Sequence, residues 1–97
     1  MADNAMAATI TEKERKKMLR ELDDERGQLI AAVAKTRQQL TMARMYFDTV
    51  TDADLIEESV YEINALQARY SYLFRKLREL EQQIRTDKEV GPYEKSP

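Results

Sequence analysis

The chain contains no cysteine and no histidine among its 97 residues. Without cysteine there is no disulfide framework and no thiolate chemistry. Without histidine it lacks the commonest metal ligand and the usual general base near neutral pH. Tryptophan is absent too, and only two glycines and two prolines are present. No apolar run approaches the roughly 18 residues that span a bilayer. The first eleven residues carry Asp3 and no base ahead of an apolar segment, so they do not read as a secretory signal. A cytoplasmic location is therefore expected, with no membrane partner. No glycine-rich phosphate loop, zinc spacing or nucleophile–base pair occurs, and Ser59 and Ser71 have no histidine to activate them. The expectation is a non-enzymatic protein without a cofactor.

What is present is helix-forming. Hydrophobic residues make up 42% and charged residues 35% of the chain, the composition of long, solvated helices. Thr11-Glu12-Lys13-Glu14 has the spacing of a capping box. A heptad seam follows through Leu19, Leu22, Arg26, Leu29, Val33, Thr36, Leu40, Ala43, Phe47 and Val50, of which eight of ten are apolar. Gly27 falls within this stretch and weakens it slightly. A second seam runs through Ile56, Ser59, Ile63, Leu66, Tyr70, Leu73, Leu77, Leu80 and Ile84, with eight of nine apolar.

The two seams are out of phase. Extending the first would place its next positions at Asp54 and Glu57 rather than Ile56 and Ser59. The break falls at Thr49-Val50-Thr51-Asp52, where three consecutive β-branched residues disfavour a helix and Thr51 or Asp52 can cap a new one. The reading is an all-α, antiparallel two-helix hairpin, coiled-coil-like and able to assemble into a helical bundle. One continuous kinked helix is the alternative. The expected organisation is a mobile tail over 1–10, a helix over 11–48, a turn over 49–52, a helix over 53–86 and a mobile tail over 87–97. Antiparallel pairing requires a nearly constant sum of residue numbers. Leu40 with Ile63, Val33 with Tyr70 and Leu22 with Leu80 give sums of 102–103. Small Ala43 then meets small Ser59 near the turn. Helices of about 35 residues would be ~50 Å long. Two such helices alone bury a narrow seam, so self-association or a partner is expected.

Charge is unevenly spread about a net of −2. Arg44 to Glu62 holds six acids and one base, whereas Arg69 to Lys88 holds six bases and three acids. Matching to the helix dipole accounts for this pattern. Asp52, Asp54, Glu57 and Glu58 offer oxygen ligands to a divalent cation, but they lack calcium-loop spacing and suit a helix start; no metal is expected. Arg69, Arg75, Lys76 and Arg78 interleave with Tyr70, Tyr72 and Phe74, as in single-strand nucleic-acid binders. A core face with a solvated flank explains the same pattern. Away from the seam, Tyr61, Ala65, Ala68 and Tyr72 form a stripe at steps of four, three and four, and Met42 and Met45 occupy the corresponding outer positions of the first helix. Methionine and tyrosine are common at binding surfaces, so these six residues are the expected partner surface. Arg26, inside the seam, is expected to snorkel or to pair with an acid.

The stretch Tyr46-Phe47-Asp48-Thr49-Val50-Thr51-Asp52-Ala53-Asp54-Leu55-Ile56-Glu57, followed by Tyr61-Glu62 and then Arg69-Tyr70-Ser71-Tyr72-Leu73-Phe74-Arg75-Lys76, resembles the YaaL-like family. These are short uncharacterised cytoplasmic proteins of Gram-positive, mostly spore-forming bacteria. The resemblance covers about Leu40 to Arg78. It implies no established activity. Genes of that family often neighbour those of a recombination mediator and a nucleoid-associated protein, which is a hint of DNA metabolism by association.

Overall fold

The computed structural model describes residues 10–89. They form two helices, α1 (Glu12–Phe47) and α2 (Ala53–Glu89), packed against each other along their length. The fold is an all-α helical hairpin with no strand among the described residues. The result is a rod of 70 × 23 × 21 Å. Residues 48–52 are not helical, so the single kinked helix is excluded.

Each helix begins where a side chain can satisfy its free amides. Thr11 caps α1: its Oγ1 accepts from the Glu14 N–H at 3.1 Å, and Glu14 Oε1 accepts from the Thr11 N–H at 3.1 Å. The reciprocal pair is the capping box expected from the spacing. The Thr11 hydroxyl also donates to Glu14 Oε1 at 2.8 Å. These hydrogen bonds stabilise the charged carboxylate and hold Glu14 below the usual carboxylate pKa. At α2 the cap is Asp52, whose Oδ1 accepts from the Asp54 and Leu55 amides at 2.9 and 3.3 Å. Its carbonyl takes the Ile56 N–H at 2.9 Å. α1 closes with the Asp48 N–H on the Arg44 carbonyl, and with both the Thr49 amide and hydroxyl on the Tyr46 carbonyl.

Every expected seam position is buried or half-buried. The fully sequestered apolar side chains are Val33, Leu40, Ala43, Leu73, Leu80 and Ile84. Thr36 and Ser59 are buried with them at 2% and 1% exposure. The Thr36 hydroxyl donates to the Ala32 carbonyl at 2.8 Å, whereas Ser59 Oγ has no hydrogen-bond partner. Gly27 lies on the solvated side, and a Cβ there would meet nothing within 4 Å.

Two polar contacts across the pair carry the register. Arg15 Nη2 donates to the Asp87 carbonyl at 3.2 Å, on the expected sum of 102. Arg26 Nε donates to Glu81 Oε2 at 3.2 Å, and these numbers sum to 107. The larger value follows from side-chain direction. Both residues lean toward the N-terminus of their own helix, so in an antiparallel pair their tips meet while their Cα atoms stand farther apart along the rod. α2 also continues beyond residue 86, through Glu89. Thr86-Asp87-Lys88-Glu89 contains no helix breaker, and Arg15 ties down the Asp87 carbonyl. Of the expected tails over 1–10 and 87–97, residues 1–9 and 90–97 lie outside the described residues.

Candidate functional site

The acidic turn is organised by the backbone. Asp52 is committed to capping, and Glu57 accepts from the Tyr61 hydroxyl at 3.4 Å. Among the described residues no three acids converge in a geometry that could hold a metal ion.

The six residues expected to form a partner surface are all solvent-exposed. Tyr61, Met45, Met42 and Tyr72 are 66, 64, 62 and 51% exposed. The hairpin distributes them over more than one face. Helices that face each other across a seam turn their backs in opposite directions. Met45 sits on the back of α1, and Tyr61 with Ala68 on the back of α2. Met42, Ala65 and Tyr72 stand one step round from the backs, on a common side of the rod. The heptad spacing located each residue on its own helix but carried no information about how the second helix is turned over onto the first.

The basic residues are divided as well. Arg69 and Lys76 are seven apart and share one side of α2. Arg75 is on its back and Arg78 on the other side. Arg75 lies over the Tyr72 ring, 5.8 Å from the ring centre, and Lys76 pairs with Glu79 at 3.9 Å. All four are exposed; Arg75 and Arg78 line one groove with Tyr70, Ser71 and Phe74, and Arg69 and Lys76 lie outside it.

Each side of the seam carries a shallow groove. One is bounded by Asp23, Arg26, Glu81, Ile84, Arg85 and Lys88, and the other by Glu25, Leu29, Lys76, Glu79 and Leu80. The first is bridged by Arg26, which holds Glu81 across the seam and Asp23 one turn back at 3.6 Å. Arg26 is thus the paired seam arginine rather than a free one. Further apolar side chains, missed in the outer stripe, stand on these sides: Ile30, Val60 and Phe74 on the first, Tyr46 and Leu55 on the second, all 41–44% exposed. Phe74 stacks on Tyr70 with ring centres 6.0 Å apart. The signal that could have found them is an apolar residue in the position directly flanking a heptad seam.

No helix among the described residues is long and apolar enough to cross a membrane. No curated protein and no solved structure matches the chain. One family model matches residues 10–84, the whole hairpin from the capping box to the last buried seam residue. On that match, the chain belongs to the family described as protein of unknown function (DUF2508).

Proposed function

We propose that this protein is a small, non-enzymatic helical interaction or scaffold protein of the cytoplasm. The carrying observation is the exposure of large apolar side chains on faces that the hairpin does not use. Tyr61 is 66% exposed and Tyr72 51% exposed, and the small Ala65 and Ala68 between them leave room for a partner helix. The resemblance to the YaaL-like family, with no activity attached to it, supports the same reading.

The test combines Tyr61→Glu with Tyr72→Glu in the full chain. Helicity by circular dichroism should stay near that of wild type, because neither side chain belongs to the seam. Capture of protein partners from the native cell should fall to background. Unchanged capture would overturn the reading. The rival is an accessory nucleic-acid-associated protein using the bases of α2. Retention on heparin or single-stranded DNA at moderate salt, lost steeply as salt rises, would favour that rival.

A further inference from the structure

We propose that a second copy of this chain packs on the side of the rod that carries Ile30 and Phe74. Two hairpins then form an antiparallel four-helix bundle. The proposal goes beyond the interaction reading above, since it assigns a different surface and commits to its occupant.

The middle of this side, between Arg78 at one border and Arg37 at the other, is uncharged. Gly27, Ile30 and Ala34 come from α1, and Gln67, Ser71 and Phe74 from α2. Their steps of seven and four from Asp23, Glu81 and Arg85 place them on the same side as the Arg26 groove. In a chain that is 35% charged, an uncharged centre is unusual. Ile30 and Phe74 are 42 and 41% exposed. The Arg15–Asp87 register puts them within about two residues of the same height, ~3 Å along the axis. Ile30 is also at the midpoint of α1. Gly27 has open space around it, and with Ala34 and Ser71 it lets another helix approach closely. An apolar centre with charges confined to the rim is the anatomy of a protein interface.

Electrostatics then selects the occupant and its direction. A half-turn about an axis crossing the rod at Ile30 lays α1 against α1 of the second copy and α2 against its α2, with the rods antiparallel. Ile30 meets its own copy, and Phe74 meets the Tyr70–Phe74 pair. Arg37 comes opposite Asp23 of the second copy, and Glu57 opposite its Lys88. The acidic turn half of each rod thereby covers the basic half of α2 in the other. Parallel rods would instead lay α1 against α2 of the second copy and set the turn acids, Asp48 and Glu57 among them, against one another. The opposite side of the rod is less suitable for a second copy, because Lys35, Arg69 and Lys76 occupy its centre and the same half-turn would set Arg69 against Lys76. One arrangement is less favourable in the proposed bundle: Arg44 approaches Lys16, at the solvated rim where such pairs are worth little. A side of a rod 70 Å long and 23 Å wide exceeds the roughly 800 Å² per partner of a standard interface.

Sedimentation of the full chain over a concentration series is the test. Wild type should reach twice its 11.3 kDa monomer mass. Ile30→Glu with Phe74→Glu should shift the midpoint of association at least about tenfold upward in concentration. A charge exchange guards against a folding defect. Glu57→Lys or Lys88→Glu alone should weaken the dimer several-fold, and the two together in one chain should restore it. Within one copy these residues are ~45 Å apart along the axis, so the restoration reads a contact between copies. A monomeric wild type at every concentration would overturn the proposal and leave the Tyr61–Tyr72 reading standing. So would a dimer insensitive to Ile30, Phe74 and the charge exchange. A dimer dissociated by Tyr61→Glu and Tyr72→Glu would move the interface to the back of α2.

Discussion

The turn half and the open half of the rod use the same heptad spacing and bury their seams differently. Near the turn Thr36, Leu40 and Ala43 of α1 and Ser59 of α2 are buried, while Phe47, Val50, Ile56, Ile63 and Leu66 are half-buried. Small side chains such as Ala43 and Ser59 can be covered only when the two backbones come close. Toward the open end the seam is leucine-rich. There Leu80 and Ile84 of α2 are buried, whereas Leu19, Leu22 and Leu29 of α1 stay half-buried. Arg26 bridges the seam to Glu81 there. Spacing therefore fixes which residues face inward, and residue size fixes how completely they are covered.

The sharpest way to break this comparison is truncation in each half. Leu40→Ala removes a side chain that is 8% exposed and should cost about 2–5 kcal/mol. Leu22→Ala, half-buried at the open end, should cost about 1–2 kcal/mol, the partial share of a full burial gain of ~1.5–3 kcal/mol. Chemical denaturation at a fixed protein concentration measures both. Equal losses would mean that the two halves pack alike.

A smaller effect of opposite sign is expected at Ser59. Its hydroxyl is buried without a hydrogen-bond partner, and a buried unsatisfied group carries a penalty of about 1–3 kcal/mol. Ser59→Ala keeps the close approach and removes the penalty, so it should stabilise by about 1 kcal/mol. Destabilisation in the same denaturation experiment would show that Oγ is satisfied in solution.

The smallest effect belongs to the open end, at the capping box. The Glu14 pKa is lowered from 4.5, first by the Thr11 hydroxyl and then by the Thr11 amide. A lowered carboxylate pKa gives stability that is fully present above the unfolded value of 4.5 and is lost as pH falls through the lower folded value. Titration followed by NMR should place the Glu14 midpoint below 4.5, and Thr11→Ala should bring it back up. A midpoint unaffected by that substitution would remove the reciprocal cap.

The seams show how legible the fold was. Leu19 to Val50 and Ile56 to Ile84 follow the three–four alternation without interruption, and each of those positions is at least half-buried. The phase shift between them, together with Thr49-Val50-Thr51-Asp52, located the turn. The candidate surface was legible only one helix at a time. Tyr61 and Tyr72 were rightly placed on the solvated side of α2, yet their relation to Met42 and Met45 depends on how one helix is turned over the other. Arg26 is a similar case. Its position in the seam called for snorkelling or for pairing with an acid, and Glu81, 55 residues away, becomes a neighbour only through the register.

By itself the sequence determined the helical state, the cap at Thr11 and a second at Thr51 or Asp52, the inward faces and the site of reversal. These are local properties, set by spacing, by side-chain oxygen next to free amides, and by β-branching. Tertiary structure alone decided which exposed residues share a side, how Arg26 is neutralised, and that Ser59 is buried without a partner. Each of these depends on the rotation and separation of two helices about a common seam, and a linear pattern leaves both quantities open because any rotation of the second helix preserves its own periodicity.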